Sequence, residues 1–301
     1  MFIQMFGAIY VSNSISLNWS EVFVPFNVSA ILMTLSIILQ YYLKSREYHR
    51  MPGEIKRQIT ILLFEIFALV ISLVIGPKYG LIIVSIAYFA TMFSPVLFMS
   101  KDESEITLNF PHLVERVSLI TIIIFGEMVV GLAGLFTLGK IGMLSIVAFV
   151  AVALLFGSYV LQIEKFINHH QLTRGFTMVY SHIGIFIGLS TVTASLSFAM
   201  ESDVNWKFLI FFRLLGLVIF YVSMFVTSIY NKDEYKLKLK DISAYLIFFM
   251  AGGIIAALSR KGQVLLFSFG MLVTTLSVFL YMFNKVRKRD GKPNHEKRNN
   301  I

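Results

Sequence analysis

Residues 59–99 read ITILLFEIFALVISLVIGPKYGLIIVSIAYFATMFSPVLFM, two apolar runs parted by Gly76-Pro77-Lys78-Tyr79-Gly80, with Glu65 and Lys78 as the charged side chains. Each run approaches the roughly 20 residues that carry a helix across about 30 Å of hydrocarbon. No water is present there to satisfy a backbone N–H or C=O, so a lone segment must bond internally, as a helix does. The glycine-bearing break between them is where a helix must stop. The stretch is predicted to be a membrane-spanning helical hairpin.

The pattern recurs along all 301 residues, with apolar runs at about 1–17, 22–43, 59–75, 79–99, 113–135, 141–161, 179–199, 207–229, 242–258 and 264–283. The first is the weakest, diluted by Ser12, Asn13, Ser14, Ser16 and Asn18. Met1–Val11 has no basic leader and Ser12–Ser20 no convincing cleavage site, so this run is expected to remain in the protein. A chain 57% hydrophobic and 14% charged, with mean hydropathy +0.77, excludes a soluble globular enzyme. The predicted fold is all-α, a polytopic transmembrane bundle of about ten helices.

The net charge of +9 is explained by topology rather than by nucleic acid. Of 26 Lys and Arg, 19 fall in one set of alternate loops and the tail, 5 fall in the other set, and Arg116 and Arg213 lie in helices. The rich set includes Lys44, Arg46, Arg50, Lys56 and Arg57, then Lys232, Lys236, Lys238 and Lys240. Both termini are therefore expected in the cytoplasm, with the chain in the cell's inner (plasma) membrane and lipid its main partner. The hairpin at 59–99 and the pair of runs around Ser259-Arg260-Lys261-Gly262 share a layout, a basic loop before and a glycine-bearing turn within. They suggest a parallel repeat of six helices. On that reading residues 1–111 are a remnant of a first repeat that lacks two helices, 112–283 a full second repeat, and 284–301 a basic cytoplasmic tail.

An ionisable side chain in hydrocarbon costs a few kcal/mol on insertion scales, so each such group is a candidate for function. Residues 111–132 read PHLVERVSLITIIIFGEMVVGL and hold most of them. His112 and Glu115, at i and i+3, share a face near the cytoplasmic mouth. Arg116 and Glu127 lie eleven residues or three turns apart, on one side of the helix with Ile120 and Ile123 between them. Glu127 is expected about 16 Å deeper than Arg116, near mid-membrane, with Gly131 and Gly134 on its strip. It is the leading candidate for binding a proton or cation, against the alternative that it only fixes packing. His182 is the second candidate, since imidazole titrates near neutral pH; its alternative is a histidine hydrogen-bonded at a helix end. Glu65 and Arg213 are candidate intramembrane partners, each also able to bond locally or snorkel to the interface.

Other chemistries are disfavoured. No Cys occurs, so disulfides, iron–sulfur clusters, thiolate zinc sites and Cys nucleophiles are excluded. No phosphate-binding loop or dinucleotide fingerprint is present, and no nucleophile elbow. His169-His170 with Glu164 nearby is too unspecific for a metal site. No cofactor and no enzymatic activity are expected.

The spacing His112-x-x-Glu115-Arg116 followed by Phe125-Gly126-Glu127 resembles the signature of the low temperature requirement A family of bacterial-type membrane proteins. The Tyr159 to Glu164 segment and the Tyr180/His182 pair are also similar to that family. Its members typically open with Glu-Leu-Phe-Phe-Asp-Leu-Val-Phe, a segment these 301 residues lack. The resemblance implies a membrane helix bundle that is a shortened, internally started or divergent member, and carries no substrate. The expected function is a secondary transporter or channel for a small ion or solute, with Glu127 as the binding carboxylate and Glu115, Arg116, His112 and His182 shaping a cytoplasmic path. The alternative is a non-transporting membrane protein that supports growth in the cold or scaffolds a partner.

Overall fold

The computed structural model describes residues 19–46, 53–97, 109–133, 136, 142–199 and 203–290. Among these the chain forms nine α-helices, and its one β feature is an isolated bridge between Ile167 and Asn231. The helices are α1 (Trp19–Ser45), α2 (Gly53–Ile75), α3 (Pro77–Leu97), α4 (Phe110–Leu132), α5 (Met143–Val160), α6 (Phe176–Phe198), α7 (Trp206–Val226), α8 (Leu239–Leu258) and α9 (Val264–Asp290). Eight of them are long and apolar enough to cross a membrane; the ninth, α4, differs from those eight in holding Glu115, Arg116 and Glu127. The protein is an integral membrane protein built of helices. The apolar run expected at 1–17, the turn residues 138–141 and the tail beyond 290 lie outside the described residues.

The chain divides into two compact units, residues 1–105 and 106–301. In the first, α2 packs on both α1 and α3. The turn from α2 to α3 is made by Gly76 at φ 91°, a left-handed value that L side chains resist. Ala30, Leu69 and Val84 form a small apolar centre. Two polar rungs tie α1 to α2: Ser72 Oγ to Asn27 Oδ1 at 3.1 Å, and Thr34 Oγ1 to Glu65 Oε1 at 3.1 Å. Asn27 and Thr34 are seven residues apart, as are Glu65 and Ser72, so the rungs repeat about every 10 Å along an antiparallel pair. Glu65 is 5% exposed and spends its carboxylate on this packing.

In the second unit α4 packs on α5 and α6, α6 on α7, α5 on α9 and α9 on α8. Lipid gives apolar side chains no reason to leave it, so helices in a membrane associate by close fit, and small residues permit that fit. A Cβ on Gly188 of α6 would fall 2.6 Å from the Phe220 backbone nitrogen of α7. On α8 and α9, Gly252 and Gly270 oppose each other, each leaving no room for a methyl group on the other. A continuous core joins Val114, Phe125 and Met128 of α4 with Leu155 and Tyr159 of α5, Ile185 of α6 and Phe220 and Tyr221 of α7.

One end of this unit is closed by polar bonds. Beyond α5 the helix widens into a π turn, Leu161–Phe166, which turns Gln162 inward. Its Nε2 donates to Thr227 Oγ1 at 3.0 Å and Asn231 Oδ1 at 2.8 Å, and Asn231 Nδ2 donates to the Tyr235 carbonyl. Phe166 stacks on Tyr235 with ring centres 4.5 Å apart. Nearby, the exposed Asp233 carboxyl is held below the usual carboxylate range by its bond to the Lys236 ammonium.

The last helix differs from expectation. It runs to Asp290, seven residues past the predicted end at 283, because its basic last turns find carboxylates: Lys285 pairs with Asp241 and Arg289 with Glu234. Helix α4 begins at Phe110 rather than 113, since Asn109 Oδ1 accepts the His112 N–H and Pro111 fits the first turn.

Candidate functional site

Helix α4 has two faces. Its buried face is Phe110, Val114, Val117, Thr121, Phe125, Met128 and Leu132, a 3.6-residue stripe set into the core. His112, Glu115, Arg116 and Glu127 all lie on the exposed side. His112 Nδ1 and Glu115 Oε2 meet at 3.3 Å, both well exposed. Arg116 and Glu127 flank the exposed Ile120 and Ile123, as their spacing requires. Among the described residues Glu127 has no hydrogen-bond or ion-pair partner. The helix ends at Leu132, five residues or about 7 Å beyond Glu127. The carboxylate is thus nearer that end of α4 than its middle.

The buried chemistry lies on the other side of α4. His182 of α6 is 1% exposed and Tyr159 of α5 is 2% exposed. The Tyr159 hydroxyl is 3.0 Å from His182 Nε2 and 3.2 Å from Ser118 Oγ of α4. His182 Nδ1 is 2.7 Å from the Met178 carbonyl. A carbonyl only accepts, so Nδ1 carries a proton and, in the neutral ring, Nε2 accepts from Tyr159. The single phenolic proton then points at His182, and Ser118 donates to Tyr159. When the imidazole is protonated at both nitrogens the bond to Met178 stays and the other two reverse: His182 donates to Tyr159 and Tyr159 to Ser118. Three helices thus hold a short chain of hydroxyls and imidazole whose polarity depends on one proton. Ser118 lies one turn from Glu115 on α4, which sets the chain one turn from the His112–Glu115 pair.

Ser118 and Glu127 are nine residues apart, half a turn out of phase, so the chain and the carboxylate occupy opposite faces of α4. The structure gathers Ser118, Tyr159 and His182 into one cluster and leaves Glu127 outside it. Arg213 of α7 is fully enclosed and bonds Ser195 of α6, Nε to Oγ at 3.0 Å and Nη2 to the carbonyl at 3.2 Å.

Sequence reasoning did not find Asp241. It lies at the start of α8 with no exposure, accepting from Tyr281 Oη at 2.7 Å, Lys285 Nζ at 2.8 Å and the Lys238 N–H at 2.8 Å. The available signals were Lys238-x-x-Asp241, the spacing of a helix start, and Tyr281/Lys285 at i, i+4 on a late helix. His169 Nε2 meets the Ile163 carbonyl at 2.9 Å. Among the described residues no three His, Asp or Glu side chains cluster as metal ligands.

No curated protein and no solved structure matches the chain. A family model does, that of the bacterial low temperature requirement A protein (LtrA), over residues 1–283. With helix α4 carrying His112, Glu115, Arg116 and Glu127 inside that span, the chain belongs to the LtrA family.

Proposed function

We propose that the protein is a secondary transporter or channel that moves protons, alone or with a small solute, through its second unit. The observation that supports this best is the buried Ser118–Tyr159–His182 chain, a hydrogen-bond relay that joins three helices. His182 is the group that takes up and releases the proton. Tyr159 passes it, and Ser118 links it toward the His112–Glu115 mouth, which the loop charges put at the cytoplasm. Arg116, exposed beside Glu115, helps to shape that entrance. Glu127, on the opposite face of α4 and toward its other end, binds the proton or cation on the far half of the path. A rocking of α4 would bring the two faces to alternate access.

The second reading, a non-transporting membrane protein, is favoured by one observation: among the described residues Glu127 meets no polar group. Under it the His182 chain is a packing device like the Asn27 and Glu65 rungs. Proton flux in liposomes separates the two. Loss of flux in Tyr159→Phe and Glu127→Gln proteins that fold normally supports transport. No flux from well-folded wild type refutes it.

A further inference from the structure

Among the described residues Arg213 meets no opposite charge, which a buried arginine ordinarily has. It is 1% exposed, and its three contacts are neutral: Ser195 Oγ, the Ser195 carbonyl, and the Phe267 ring of α9, whose centre lies 3.6 Å below the guanidinium carbon. Its Nη1 has no hydrogen-bond partner among the described residues. Among the described residues no carboxylate lies within ion-pair reach of it. Guanidinium stays protonated in proteins, so the site keeps a full positive charge. Enclosing such a charge costs several kcal/mol, which a carbonyl and an aromatic face offset in part.

Two helix starts lie toward the same end of the unit. Arg213 is seven residues into α7, about 10 Å from its start, and Phe267 lies in the first turn of α9. Both helices therefore turn their amino ends, with partial positive charge, toward the end of the unit where Arg213 is placed. Ser268, next to Phe267, is 2% exposed and its hydroxyl also has no partner among the described residues.

We propose that Arg213 is the fixed cation of an anion-binding site in the second unit, taking a small monovalent anion, a halide or a simple carboxylate, on Nη1. The anion enters from the end at which α7 and α9 begin. The site is independent of the proton relay: Arg213 and Ser195 share no hydrogen bond with Tyr159 or His182.

The protein contains its own reporter. Trp206 packs on the same Phe267 ring, centres 5.2 Å apart, and the chain has only 2 Trp. In a Trp19→Phe background, the purified full chain in detergent is titrated with iodide at constant ionic strength, balanced by gluconate, a carboxylate too bulky to enter a closed bundle. Saturable quenching of Trp206 is expected, competed by chloride, and by formate as well if the site also takes carboxylates. Arg213→Gln should leave only linear collisional quenching, while Arg213→Lys, which keeps the charge without the fork, should saturate at least tenfold more weakly. In parallel the unfolding midpoint of the wild type should rise with chloride or formate over gluconate, as binding to the folded state requires. Linear quenching that is the same with and without Arg213 overturns the proposal. Should Arg213→Gln fail to fold, an unfolding midpoint identical in chloride, formate and gluconate overturns it equally.

Discussion

At the scale of single residues, the His182 ring and the Glu127 carboxylate separate what holds the bundle from what works in it. Tyr159→Phe removes the hydroxyl between Ser118 and His182 and leaves a buried imidazole nitrogen without its bond. Such a loss costs about 1–3 kcal/mol, so the unfolding midpoint in detergent should fall. Glu127→Gln should behave differently, because the side chain is exposed and bonds nothing among the described residues. Its stability should stay within about 0.5 kcal/mol of wild type while flux is lost. The sequence showed that α4 is where ionisable groups gather, since their types and spacing are plain in one dimension. It did not show that Ser118, a residue of no chemical distinction, is the one that meets the buried relay.

At the scale of elements, helix contacts rest on small residues and on bonded polar ends. Gly188→Val puts a branched side chain where a single Cβ is already 2.6 Å from backbone nitrogen. Helices α6 and α7 must then separate, and a loss of about 3 kcal/mol or more in thermal unfolding is expected. Asp241→Asn removes the carboxylate that Lys285 and Tyr281 share. About 2–3 kcal/mol should be lost, with amide exchange accelerated in residues 284–290 of α9 rather than through the bundle. The apolar runs located the helices because membrane crossing demands length and apolarity, both readable along the chain. Helix ends were harder, since α9 continues only because Asp241 and Glu234 await its basic turns. The π turn at Leu161–Phe166 left no sequence mark, as it is imposed by Gln162 reaching Thr227 and Asn231.

At the scale of the whole molecule, orientation is the property on which every path depends. The chain has no Cys, so single cysteines report sidedness without background. His170→Cys and Lys261→Cys both replace exposed residues in loops. An impermeant maleimide applied to intact cells should leave position 170 unlabelled and label position 261, as the loop charges require; the reverse pattern would invert the topology. Charge asymmetry made this expectation legible, because lysines and arginines are counted without a structure. Which helix faces meet was not legible, and so Arg213, read as a candidate partner for a carboxylate, is found instead on Ser195 and Phe267.

The most direct test of the proton-path reading is proton flux into liposomes holding the full chain, driven by a pH gradient, for wild type, Tyr159→Phe and Glu127→Gln with insertion matched. Measurable flux in wild type and at least a tenfold fall in both variants is the predicted result. Wild-type flux that both variants retain, or none from a well-folded wild type, would contradict it.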